Sequence, residues 1–359
     1  MDVTAHEIAE GDNIKEIYHA TGGDYGGTKV DKEFEVLLEK IFGKVFMDEF
    51  RRSHPSDWLE LTNDFEVKKR SDRAMTGEVT RIRLPANFIN LLRHENGNDY
   101  NNVLRRNLGS QYNVEEIKIA KDYLCLGPNS VKHLFKPAIE SIVGHLKKLL
   151  KKNALRGIKI LFLVGGFSES PLLQARISKE FGSQYSVLIP HDAQTAVVKG
   201  AVMFGKRPHI VVERCLSETF GTDILESFLP GVHPLEKLIL VGDEAKCKDI
   251  FHVLARQNEI VKIGESKKTS SYSPVRADQT EVRFDFFTST NPEVRYTTDA
   301  GVRKLPGYIT VESPDTSKGK DRSIQLRLSF ETEIKAVGVD VETEKEVSTY
   351  IDFLSHASF

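Results

Sequence analysis

Apolar positions in the first half of the chain recur at helical spacing in three places. From Lys32, the residues Phe34, Leu37, Leu38, Ile41, Val45 and Phe46 fall three and four apart, with Gly43 as a bend. Ser56 to Arg70 predicts a second helix with Trp58, Leu61, Phe65 and Val67 inward. Ser130 to Lys152 predicts a third, with Val131, Leu134, Phe135, Ile139, Ile142, Val143, Leu146 and Leu150 on one face and Asn129 or Ser130 as its cap. Between the second and third, Thr76 to Asn113 mixes short β-like runs (Val79, Ile82, Leu84) with asparagines and arginines, and reads as an appended subdomain.

Shorter patterns flank these helices. Val3 to Ile8 and Ile14 to His19 read as strands around a turn at Glu10-Gly11-Asp12-Asn13. Ile158, Ile160, Leu161, Phe162, Leu163 and Val164 form an apolar run, which predicts a central strand covered on both faces. Gly165-Gly166 follows, and then Ser170-Pro171 marks a helix start, with serine to accept free amides and proline where its missing donor costs nothing. Val187 to Ile189 predicts the next strand and Ala193 to Phe204 the next helix. Beyond Pro208 the period shortens to two. Val282-Phe284-Phe286, Ile324-Leu326-Leu328-Phe330, Ile334-Ala336-Gly338 and Val347-Tyr350-Phe353 predict antiparallel sheets with one buried face. The expectation is an α/β half of residues 1–208, with an inserted subdomain over about 32–125, and a β-rich half of residues 209–359.

Composition narrows the function classes. A chain of 359 residues, 40% hydrophobic, is too long for one compact core. Its 52 acids and 50 bases leave a formal charge of -2, which argues against a nucleic-acid-binding surface. Cys125, Cys215 and Cys247 form no pair at metal-ligand spacing, so buried thiols are expected. Met1 to Glu7 lacks the basic lead and apolar core of a signal peptide, and no apolar stretch approaches the roughly 20 residues of a membrane span. A cytoplasmic location is the expectation.

Candidate chemistry concentrates at two glycine turns and one helix. Gly165-Gly166 ends a strand and opens a helix, the position where open α/β sheets bind ligands, although a bare Gly-Gly turn is common and simple chain reversal is the commoner explanation. The loop Gly22-Gly23-Asp24-Tyr25-Gly26-Gly27 has an anion-cradling composition but lacks a P-loop ending, and Asp24 and Asp31 could position a hydrated metal although no ligand set is visible. Glu66, Lys69 and Arg70 share one helix face, either as a solvated salt-bridged surface or as a clasp for ribose hydroxyls and adenine. His191-Asp192 and His209 stand isolated, without a nucleophile-base set.

The run Leu163-Val164-Gly165-Gly166-Phe167-Ser168-Glu169-Ser170-Pro171-Leu172-Leu173-Gln174 resembles the adenosine motif of the heat-shock 70 kDa chaperone family. Ile189-Pro190, Val198 to Gly205, the Gly22 to Gly27 loop with Val30-Asp31, and Phe65-Glu66 with Lys69-Arg70 extend that resemblance to its divergent subfamily 12. The resemblance implies the second lobe of an actin-like (ribonuclease H-like) ATPase fold, followed by a degenerate substrate-binding β-sandwich. It places Gly165, Gly166 and Phe167 in an adenosine pocket, Glu66, Lys69 and Arg70 on the clasping helix, and Gly26 and Gly27 on the phosphate side. ATP or ADP is the implied cofactor, with Mg2+ only alongside bound phosphates. Protein or peptide partners are implied, and neither a nucleic acid nor a membrane span.

Phe167 and Glu169 depart from the family pattern, which has a small polar residue and an arginine there. The sequence also starts after the family's first lobe, with its phosphate loop, catalytic lysine and magnesium-positioning acid. The resemblance therefore implies a non-hydrolysing or weakly nucleotide-binding interaction module. The alternatives are a fragment of an ATP-dependent chaperone, with turnover only in the full-length protein, and a sugar-kinase-like enzyme of the same superfamily.

Overall fold

Apolar periodicity alone builds the best-defined elements. In a computed structural model, which describes residues 1–96, 100–108, 112–331 and 333–351, the chain is mixed α/β with several sheets. Two compact units emerge, one of Met1 with Gly22–Lys206 and the other of Asp2–Thr21 with the chain from Arg207 onward. The expected first half began at residue 1. The strands β1 (Asp2–Ile8) and β2 (Ile14–Gly22) instead group with the second unit, because β2 pairs in parallel with β8 (Val211–Cys215).

In the first unit, α1 (Gly27–Phe42) buries Val30, Phe34, Leu37, Leu38 and Ile41 on one stripe. Gly43, at φ +90°, takes a backbone that favours glycine and turns the chain into α2 (Lys44–Ser53). Pro55 at the first turn starts α3 (Pro55–Lys69), which buries Leu61 and Phe65. Val67, expected inward, is 66% exposed. Two residues past Phe65 on a helix is about 200° round the axis, so the two cannot share a face.

After α4 (Arg73–Thr76), the predicted β-like runs become the three-stranded antiparallel sheet of β3 (Thr80–Arg83), β4 (Ile117–Ala120) and β5 (Tyr123–Leu126), in order β3-β5-β4. The helices α5 (Ala86–Asn96) and α6 (Tyr100–Asn107) lie between β3 and β4 in the chain. The long α7 (Pro128–Leu149) is capped neither by Asn129 nor by Ser130: the Glu116 carboxylate accepts from the Ser130 amide at 2.9 Å and from the Asn129 side chain at 2.5 Å. An acid from outside the helix thus satisfies one of its free backbone amides and complements the positive pole.

The apolar run after Gly157 gives only a short β6 (Ile160–Phe162), paired in parallel with β7 (Ser186–Leu188) and with no second neighbour among the described residues. It is not the doubly covered strand that the run predicts. Leu161 and Leu163 pack on the core, whereas Ile160, Phe162 and Val164 are 45%, 62% and 44% exposed. α8 (Pro171–Phe181) begins at Ser170-Pro171 as expected, yet the Ser170 hydroxyl is buried and makes no cap bond. The last helix, α9 (Ala193–Lys206), runs through Gly205.

The second unit is strand-rich. β1, β2, β8 and β12 (Ile260–Lys262) form one sheet in the order β1-β2-β8-β12. β9 (Thr219–Ser227), β10 (Leu238–Val241), β11 (Glu244–Ala255), β14 (Glu281–Ser289) and β15 (Val302–Glu312) form a second, in the order β10-β11-β9-β14-β15. β13 (Ser266–Tyr272), β16 (Ile324–Phe330), β17 (Ile334–Asp340) and β18 (Glu346–Ile351) form a third, in the order β13-β16-β17-β18. Phe284, Phe286, Ile309, Leu326, Leu328 and Ala336 draw the second and third sheets onto one core. A β-carbon on Gly338 of β17 would lie 2.3 Å from Val311 of β15, so glycine lets these sheets approach. Phe353 of the predicted last strand lies outside the described residues.

Candidate functional site

The residues predicted to bind nucleotide all lie in the first unit, and packing of α1 against α3 brings several together. Phe34 of α1 and Phe65 of α3 stack face to face, with centroids 3.9 Å apart at 13°. That contact fixes α3 so that Lys69, one turn beyond Phe65, reaches back to the start of α1. The Lys69 Nζ donates to both carboxylate oxygens of Asp31 at 2.7 Å and to the Gly27 carbonyl at 3.4 Å, and it pairs with Glu66. Its side chain is 8% exposed, so this ammonium is nearly enclosed by its acceptors.

Glu66 also accepts from Arg70, whose Nε lies 2.9 Å from Oε1. Burial alone would raise the Glu66 carboxyl pKa, but the bonds to Lys69 and Arg70 prevail and hold it below the ordinary carboxylate range. Glu66, Lys69 and Arg70 are therefore salt-bridged with one another, and Asp31 joins the set. Neither Asp31 nor Asp24 stands as a free metal ligand: Asp31 binds Lys69, and Asp24 binds Lys32 at 2.8 Å. Among the described residues no group of three or more His, Cys, Asp or Glu gathers in metal-ligating array.

The second glycine turn meets the first. Gly165 sits at φ +88°, which favours glycine, and its amide donates to the Ala193 carbonyl at 2.7 Å, tying the turn to the start of α9. Ser168 closes the turn by donating from its hydroxyl to the Gly165 carbonyl at 2.6 Å. This geometry throws Phe167 toward α1. A β-carbon built on Gly27 would lie 3.5 Å from both Lys69 Nζ and Phe167 Cδ2. Gly27, Lys69 and Phe167 thus converge from three separate segments. Gly26, Gly165 and Gly166 face open space, with nothing within 4 Å of an added β-carbon.

Sequence reasoning missed the support behind Phe167. Phe135 of α7 stacks on it, with centroids 6.2 Å apart at 19°. Phe135 carried only an amphipathic-helix signal, which marks a buried face without saying what it touches. Glu169 is exposed, and the isolated Asp192 pairs with Lys199 on α9. Cys125, Cys215 and Cys247 are free and buried. An open groove between α7 and α8 is lined by none of the predicted site residues. No helix among the described residues is long and apolar enough to cross a membrane.

Comparison with known proteins supplies the lineage. No family model matches the chain. Over 363 residues, 99% of the chain, it is 37% identical to Heat shock 70 kDa protein 12A of Homo sapiens and to that of Mus musculus. Over 368 residues it is 35% identical to Heat shock 70 kDa protein 12B of Homo sapiens. The chain spans about half the length of these relatives, 53% of each. Over the half of their length that it spans, the chain is thus related to Heat shock 70 kDa proteins 12A and 12B.

Proposed function

We propose that the first unit, as the second lobe of an actin-like fold, forms one wall of an adenine-nucleotide cleft, and that the chain is a weakly nucleotide-binding, chaperone-like interaction module. The observation that carries this reading is the convergence of Gly27, Lys69 and Phe167 beside the open turn Gly165-Gly166. Phe167 offers an aromatic face for a base, and bare glycine backbone lets a nucleotide approach closely. Glu66 can accept from ribose hydroxyls, and the Arg70 guanidinium can cover a ring. Gly26 and Gly27 head α1, whose free amides favour the phosphates of ATP or ADP, and Mg2+ would arrive with those phosphates.

Weak affinity follows from the ion pairs. Lys69 and Glu66 already bond to each other and to Asp31 and Arg70, so a nucleotide must replace bonds rather than satisfy free groups. The second unit, read as a β-sandwich, is the part proposed to meet protein or peptide partners, in the cytoplasm. Calorimetric titration of ADP and ATP, with and without Mg2+, tests the proposal. Saturable binding abolished by Gly166→Trp is expected. No binding, or binding indifferent to that substitution, overturns it.

The relatives' length favours one second reading: a longer protein containing this segment turns over ATP as a chaperone. Steady-state hydrolysis by such a protein, lost with Gly166→Trp, is its test.

A further inference from the structure

We propose that the groove between α7 and α8 is a docking site for an acidic amphipathic helix of a protein partner. The groove has a volume of about 370 Å3 and opens to solvent. Its floor is apolar: Phe135 and Ile139 lie four apart on α7, and Leu172 faces them from α8. Lys132 and Lys136, also four apart, stand exposed on the rim. Cations and apolar residues therefore run as two parallel stripes, each repeating after about one helical turn.

Charge decides what suits this surface. Neither Lys132 nor Lys136 is in a salt bridge among the described residues. The acid in the groove, Glu140, accepts from Arg176 at 2.9 and 3.2 Å, and Arg176 also binds Glu180 at 2.6 Å. Glu140, four residues past Lys136, also feels that lysine's charge, but it is already held by two bonds from Arg176, so the lysine pair exceeds the acid that the groove supplies. A helix that lays Leu or Phe over Phe135, Ile139 and Leu172 and carries Glu or Asp four apart beside them satisfies both stripes. A groove this open suits such a helix better than a small molecule, which needs most of its surface enclosed. The inference stands on the groove alone and is independent of the nucleotide reading.

The test is fluorescence anisotropy with a fluorescein-labelled helical peptide of Leu, Ala and Glu, its Glu residues at i and i+4 beside a leucine face. A control peptide carries Lys at each Glu position. Saturable binding of the Glu peptide alone is expected, weakened about tenfold or more by Lys132→Glu with Lys136→Glu. Lys148→Glu with Lys151→Glu makes the same charge change outside the groove and should bind like the parent. Failure of the Glu peptide to saturate, or equal weakening by both double variants, overturns the proposal. So does loss of binding to phosphatidylserine vesicles in the first double variant with the peptide unaffected, which makes the surface a lipid contact.

Discussion

Replacing Lys69 by methionine removes the ammonium that joins α1 to α3 while keeping most of the buried stem. Its two bonds to Asp31 at 2.7 Å and the pair with Glu66 are charge-assisted. Such bonds contribute about 1.5–3 kcal/mol each when enclosed and about 0.2–1 kcal/mol when exposed. Lys69 is 8% exposed, but its partners Asp31 and Glu66 are 35% and 37% exposed, so solvent screening pulls the sum toward the lower end. The expected loss is about 2 kcal/mol for Lys69→Met and about 1 kcal/mol for Asp31→Asn, with a coupling of about 1 kcal/mol in the double variant. Trp58, the only tryptophan, lies on α3 beneath the Arg51 guanidinium at 4.7 Å, so its fluorescence reports this unit. With a urea slope of about 2 kcal/mol/M, Lys69→Met should lower the Trp58 midpoint by about 1 M. A shift below about 0.2 M, or strictly additive effects in the double variant, would refute the account of the pair.

Other outcomes follow from the same packing. Phe65→Ala removes the stack on Phe34 and should destabilise the first unit by about 3–4 kcal/mol, read again through Trp58. Gly27→Ala meets its neighbours at ordinary contact distance, so the urea midpoint should hold or rise slightly, while ADP binding measured calorimetrically should weaken. Glu66 has a folded pKa below its ordinary 4.5, so its contribution is present above that value and is lost as pH falls through the folded one. The stability difference between the parent and Glu66→Gln should therefore be constant near neutrality and shrink below about pH 4.5. Arg322, 1% exposed, donates to the carbonyls of Gly319, Ser313 and Ala277. Arg322→Leu strands those acceptors and should cost about 3 kcal/mol or more, lowering the β-sheet circular-dichroism melt with the Trp58 transition unmoved.

Much of this architecture is legible in the sequence, because long amphipathic helices and alternating strands announce themselves. α1, α3 and α7 follow from apolar residues three and four apart, β16 from strict alternation and β17 from a looser one. Ile158 to Val164 misled because an apolar run does not say how many neighbours will cover it; here one face of β6 is left exposed. Ser130 and Ser170 have good capping chemistry, yet Glu116 reaches α7 first and the Ser170 hydroxyl bonds to nothing. The site was legible as two glycine turns and one helix face, with both a bland and a functional meaning. Tertiary contacts alone reveal that Phe167 closes on Gly27, that Phe135 backs it, and that Asp31 holds Lys69 from 38 residues away.

Amide hydrogen exchange of the chain with and without saturating ADP tests the central claim most directly. The account predicts slowed exchange in 163–170, in 26–31 and in 66–70 together, because these segments converge around one cleft wall. Protection absent from all three, or confined to the second unit, would contradict it.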